Sequence, residues 1–206
     1  RIGDSAFASC HSLASVNIPH SVTWIGDSAF AGWHSLASVN IPHSVTWIGR
    51  EAFSSCSSLA SITVEAGNPN YSSDNGVLFN KDKTVLMQYP AGKTGEYTIP
   101  HSVRKIEHYA FAGCRRLTSV AIPRSVTRIG EFVFSNCRNL TDVTVEWATP
   151  LPVPPYVFNN VPRPPSTLHV PPGTQALYKA ADVWKRFEMI RTAQLPPATR
   201  PGVSNY

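Results

Sequence analysis

Three kinds of side chain in this chain could do chemistry, and each recurs at a fixed spacing. Histidine follows proline at His20, His43 and His101, and His11 and His34 form a second pair. Imidazoles on neighbouring turns of chain can share a metal ion. Arg124 fills the same slot without any power to ligate, so the slot reads as an exposed turn residue. No metal and no cofactor is expected from it. Cys10, Cys56, Cys114 and Cys137 occupy one column, with Trp33 standing where a fifth would be. Cys10 and Cys56 are two repeats apart, about 10 Å by strand spacing, which is beyond disulfide reach. Cys114 and Cys137 are one repeat apart, near the permitted separation, so a disulfide stays open for that pair. All four read as buried thiols acting as small apolar fillers. A four-thiolate zinc site needs convergence that a column does not supply.

The third kind is tryptophan. Trp24 and Trp47 sit between threonine and isoleucine, in a slot that Lys105 and Arg128 take in later copies. A slot that accepts lysine and arginine faces water. Two exposed indoles would make a flat stacking strip for a sugar face or a protein groove. A polar, almost uncharged row that includes Ser15, Asn17, Ser38 and Asn40 offers a second surface, suited to a broad protein contact of modest affinity. Trp24, Trp47, Lys105, Arg128 and that row are the candidate ligand-binding residues. There is no G-x-S-x-G, no P-loop and no H-E-x-x-H, and the acids are scattered, so no catalytic set is expected.

What must position these columns is a repeat. Ile2 to Trp24 and Ile25 to Trp47 are the same 23-residue sentence with two changes, Ser9 to Gly32 and Cys10 to Trp33. Further copies begin at Ile48, Ile106 and Ile129. A chain that repeats one short unit builds a stack, because one coil cannot bury its own apolar side chains. Phe7, Phe30, Phe53, Phe111 and Phe134 share one column, and Leu13, Leu36, Leu59, Leu117 and Leu140 another. Val16-Asn17-Ile18 alternates as a half-buried strand does, and Pro19 ends it. Asp4-Ser5-Ala6-Phe7 predicts one helical or 3₁₀ turn with Asp4 as its cap.

The period breaks between Val64 and Ile99. Inside the break, Val77-Leu78-Phe79 and Val85-Leu86-Met87 flank a polar four-residue turn and predict a β-hairpin. This reads as one enlarged coil, 65–98, rather than a flexible link between two arrays. Regular coils fill 1–64 and 99–146. An irregular last coil and a capping helix fill 147–190, with Trp184, Phe187 and Ile190 covering the open end of the stack. The whole of 1–190 is one solenoid, and 191–206 is a proline-rich tail expected to be disordered.

Leu13-x-x-Val16-x-Ile18 follows the leucine-rich-repeat signature, and the I-G-x-x-A-F-x-x-C half resembles the BspA-like subfamily of leucine-rich repeats. Gly76-Val77-Leu78-Phe79 and the ending Val170-Pro171-Pro172-Gly173…Tyr178…Trp184-Lys185-x-Phe187 are also similar to that family. Ser21 and Ser44 depart from the common leucine-rich-repeat form, where an Asn or Cys usually follows the last apolar residue. The resemblance implies a bacterial surface or secreted protein that recognises host proteins or glycans.

The net charge of +5 is mild, and its excess at Arg104, Lys105, Arg115, Arg116, Arg124, Arg128 and Arg138 reads as a solvated face. It lacks the aromatic interleaving that single-stranded nucleic acid needs, so no nucleic-acid partner is expected. No apolar run is long enough to span a membrane. The chain opens inside a repeat and reads as the back end of a longer protein, so the absence of a targeting signal carries no information. The expectation is a non-enzymatic recognition module, secreted or on the cell surface, with a protein or glycan ligand. The alternative is a structural spacer with no ligand of its own.

Overall fold

The computed structural model describes residues 1–161 and 167–193. In chain order the strands of its first part are β1 (Trp24–Ile25), β2 (Ser38–Ile41), β3 (Trp47–Ile48), β4 (Ser61–Val64), β5 (Tyr71–Asp74), β6 (Val77–Asn80) and β7 (Val85–Gln88). Then come β8 (Gly95–Thr98), β9 (Lys105–Ile106), β10 (Leu117–Ile122), β11 (Arg128–Ile129), β12 (Asp142–Val145), β13 (Thr167–Val170) and β14 (Met189–Thr192). A regular coil presents a longer strand to one parallel sheet and a two-residue strand to a second. β2 pairs with β4, and the order β14-β13-β12-β10-β8 continues that first face. β1 pairs with β3, and β11-β9-β7-β6-β5 continues the second. The second face was not legible in the sequence, because two residues are too few to show an alternation.

The register places equivalent residues of successive coils side by side: Val39 on Ile62, Trp24 on Trp47, Val120 on Val143 and Lys105 on Arg128. Every buried column then stacks on itself. Phe30 lies over Phe53 with ring centroids 5.4 Å apart, and Phe111 over Phe134 at 5.0 Å. Tyr89 takes the phenylalanine place in the enlarged coil, 4.9 Å from Phe111. Leu36, Leu59, Leu117 and Leu140 are fully buried, and so are Cys56, Cys114 and Cys137. All four cysteines are free thiols, which resolves Cys114 and Cys137 as unbonded fillers. Burial pushes the Cys56 thiol up to about 11, so it stays protonated and inert.

The corner before each phenylalanine departs from the predicted helical turn. It is built of turns with a left-handed residue at Ser5, Ser28, Glu51, Tyr109 and Phe132. Asp4 does not cap its own turn; its carboxylate accepts the Asp27 N–H of the next coil at 2.9 Å, and Asp27 accepts the Arg50 N–H at 2.7 Å. Coils press closest at the glycine just before this position. A Cβ on Gly26, Gly49 or Gly130 would lie within 2.6 Å of an atom in the coil below, whereas Gly3 has open space.

The insert is larger than one hairpin. β5, β6 and β7 form an antiparallel meander, with the Asn75-Gly76 turn joining β5 to β6. Both residues of that turn have positive φ, the primed-turn geometry that suits a tight hairpin. The meander carries the stack across the break by a few bonds: the Ile48 N–H donates to Tyr71 Oη at 2.9 Å, Ile62 N–H to Gly76 O at 2.9 Å, and Gly92 N–H to Leu59 O at 2.8 Å. The buried side chains fall into two clusters that meet there, one from Ile18 to Leu78 and one from Val77 to Phe187.

The C-terminal cap combines helix α1 (Gln175–Ala180), a 3₁₀ turn at Trp184–Arg186 and β14. The helix turns Tyr178 inward and leaves Leu177 half exposed. Tyr178 Oη donates to Trp147 O at 2.7 Å and Trp184 Nε1 to Leu151 O at 2.8 Å, so the cap is pinned by polar groups as well as covered. Ile190 lies in β14, which pairs with β13 and extends the strand to Thr192, two residues past the predicted end of the solenoid. Residues 194–206 of the expected tail lie outside the described residues.

Candidate functional site

β1 and β3 are short, and strand alternation sends their isoleucines inward and their tryptophans out. The Trp24 and Trp47 rings stack with centroids 5.0 Å apart and planes 18° from parallel. They do not lie side by side as a flat platform, because the parallel register puts one indole face on the other. The Arg1 guanidinium sits 4.8 Å from the Trp24 ring centroid and occupies that ring's other face. The face left over belongs to Trp47, which is 47% exposed.

That face borders a cavity of about 300 Å³. Trp47, Arg50, Tyr71, Met87, Lys105 and Glu107 are among the residues that line it. The cavity exists because the second face is interrupted there. β3 pairs only with β1, and the meander rather than the next regular coil follows it. Lys105, the next member of the tryptophan column, resumes on the far side and is ion-paired with Glu107. Arg128 lies exposed beside Lys105 on β11. Within the lining, burial and the Asp27 charge raise the Glu51 carboxyl above its ordinary value.

The structure thus gathers Trp24, Trp47, Lys105 and Arg128 on one face, with Trp47 and Lys105 on opposite sides of one cavity. Ser38 and Asn40 are exposed on β2 of the other face, and Ser15 and Asn17 are exposed in the coil before it. These two groups are separate surfaces. The cavity and its rim were missed by sequence reasoning, yet one signal marked them. Glu107 stands in the column of Gly3, Gly26, Gly49 and Gly130, and a side chain there requires that no coil press against it from below.

A second gathering lies at the loops that leave the first face. The His20 and His43 rings are 4.9 Å apart and tilted by 60°. Between them lies the Glu65 carboxylate, in the slot where earlier coils carry proline. Its Oε1 accepts from His20 Nε2 and from Asn40 Nδ2, each at 3.1 Å. Its Oε2 accepts the His43 backbone N–H at 3.0 Å and the His43 Nδ1 at 3.1 Å. The His43 N–H and the two imidazoles hold the Glu65 carboxyl down at about 2.

The architecture just described, coils of one longer and one two-residue strand with leucine, phenylalanine and isoleucine stacked inside, defines a leucine-rich-repeat solenoid. The chain belongs to the BspA type leucine rich repeat family, whose model matches it in six copies over residues 1–81 and 89–166. Among solved structures it is similar to a leucine rich cell surface protein from Faecalibacterium prausnitzii, with 26% identity and a TM-score of 0.69. That likeness covers 94% of this chain and 57% of the other. The pneumococcal vaccine antigen PcpA shares the fold at 20% identity and a TM-score of 0.63, over 94% of this chain and 65% of that one. A leucine-rich repeat protein from Eubacterium ventriosum is similar at 26% identity and a TM-score of 0.50, over 84% of this chain and 64% of that one. The chain therefore spans less than two thirds of the length of each. No curated protein matches it. Among the described residues no helix is long and apolar enough to cross a membrane.

Proposed function

We propose that this chain is the recognition part of a secreted or surface-displayed bacterial repeat protein, and that it adheres to a protein or glycan on a host or neighbouring cell. The observation that carries the reading is the free face of Trp47 at a cavity lined by both charges, Arg50 and Lys105 with Glu51 and Glu107. An indole held by a stacked neighbour presents a rigid apolar plane at low entropic cost. Arg50 and the Lys105–Glu107 pair add polar groups that fix the orientation of what stacks there. The role of Trp24 is to position Trp47, since its own faces are covered. The kinship to a bacterial leucine rich cell surface protein supports the location. Stacking and charge are the chemistry of this face, and the reading is non-enzymatic.

The experiment is a glycan array and a host-protein panel, followed by titration of any ligand found. Trp47→Ala is expected to weaken binding about tenfold or more, in the range typical of a stacking anchor. Trp24→Ala is expected to weaken it less. Binding unchanged in the double variant overturns the site, and a chain that captures nothing in any screen is a structural spacer.

A further inference from the structure

We propose that His20, His43 and Glu65 form a binding site for a divalent transition-metal ion of the zinc class. The site is independent of the tryptophan face. Its three donors come from three successive coils, and the register alone brings them together. The ligating atoms, His20 Nε2, His43 Nδ1 and one Glu65 oxygen, all lie within 4.8 Å of one another. Donors about 2.1 Å from a tetrahedral ion are about 3.4 Å apart. His20 Nε2 is 3.1 Å from Glu65 Oε1 and His43 Nδ1 is 3.1 Å from Oε2, so whichever oxygen ligates has one nitrogen near that spacing already. The other nitrogen must close on that oxygen and on its partner, by rotation of exposed side chains.

Two comparisons within the chain separate this from a chance cluster. His11 and His34 are also neighbours, 4.8 Å apart, but their rings stack within 3° of parallel and share no carboxylate. The His20 and His43 rings are tilted, and both nitrogens point at one acid. The second comparison is the equivalent position in the later coils. Glu146 accepts the Arg124 N–H at 3.2 Å, as Glu65 accepts that of His43 at 3.0 Å. A glutamate that receives the post-proline N–H is therefore a feature of the fold. The imidazole pair around it is not, since Arg124 stands where His43 does.

Two imidazoles and a carboxylate suit zinc, nickel or copper and give magnesium or calcium little. The ion binds the nitrogen of each neutral ring that faces the carboxylate, through its lone pair. The single N–H of each ring is then on the nitrogen facing away. Asn40 Nδ2 and the His43 backbone N–H go on holding the carboxylate from outside, the kind of support that orients a metal ligand. The remaining coordination positions face solvent, open to water or to a donor from a second molecule.

The test is calorimetric titration of the metal-stripped chain with zinc, with magnesium as the control cation. One equivalent of zinc is expected to bind and magnesium is not. His20→Ala, His43→Ala and Glu65→Gln are each expected to weaken zinc binding about tenfold or more. Glu146→Gln and the His11→Ala, His34→Ala pair are expected to leave it unchanged. Cobalt in the site is expected to show ligand-field absorption without the charge-transfer band of a thiolate. Because both histidines are exposed, their variants are expected to unfold at the parent temperature when no metal is present. If Glu65→Gln does not fold, the histidine variants decide alone. Absence of zinc binding, survival of binding in both histidine variants, or a thiolate band overturns the proposal.

Discussion

The coils before the meander and those after it keep the same interior and differ outside. Phe30 and Phe53 are matched by Phe111 and Phe134, and Leu36 and Leu59 by Leu117 and Leu140, all buried. On the exterior, Trp24 and Trp47 give way to Lys105 and Arg128, and His20 and His43 to His101 and Arg124. The difference teaches where each constraint acts. A buried residue must fit the same residue of the coils above and below, so its column varies little, with Trp33 among the cysteines and Tyr89 among the phenylalanines as the buried exceptions. An outward residue touches its column neighbours and water, so the same strand can carry indoles in one stretch and cations in another.

Three measurements break or sharpen this comparison. The largest expected effect is at the interior of the later coils. Phe111→Ala should cost roughly 3–5 kcal/mol in denaturant unfolding, the usual cost of emptying an aromatic core site. Phe7 belongs to the same column but is 41% exposed at the edge of the first coil, and Phe7→Ala should cost less than about 1.5 kcal/mol. Equal costs would mean the column is not a stack. Next comes the close approach of coils. Gly49→Ala puts a Cβ 2.6 Å from the Gly26 backbone carbon and should cost about 1–3 kcal/mol, while Gly3→Ala should be near neutral. The smallest effect on stability is at the exterior. Arg124→His restores in the later coils the residue type of the earlier ones. It should change the unfolding free energy by less than about 0.5 kcal/mol. It should also raise zinc stoichiometry from one toward two by adding an imidazole beside His101 and Glu146. No gain in stoichiometry would place His101 away from Glu146.

Most of the fold was legible because equal letters at equal spacing leave few ways to bury phenylalanine and leucine. The meander was half legible: Val77-Leu78-Phe79 and Val85-Leu86-Met87 announced two strands, but Tyr71–Asp74 alternates too weakly to read as a third. The cap was legible as a cover but not in its parts. Helical spacing was expected as far as Trp184, whereas the helix ends at Ala180 and a 3₁₀ turn and a strand follow. Its inward residue, Tyr178, was missed because a single turn and a half of helix sets no clear apolar stripe. For the site, the outward direction of Trp24, Trp47, Lys105 and Arg128 followed from what their slot tolerates. Their stacking followed from nothing in composition; it comes from the parallel register of β1 and β3. The Glu65 clamp was illegible for a similar reason, since His20 and Glu65 are 45 positions apart and meet only through two layers of coil.

The joint at the meander has a mechanical consequence. Elsewhere each rung is tied to the next by a dense ladder of amide bonds and by interdigitated rings. At the joint, two buried clusters meet, and bonds from Asn68, Asn70, Tyr71, Ser73, Gly76 and Gly92 stand in for the regular ladder. A tensile load drawn along the rod would meet scattered bonds there in place of a continuous strand ladder. Pulling along the stack is therefore expected to part the two buried clusters at the meander before either unravels, as a single-molecule extension measurement would show.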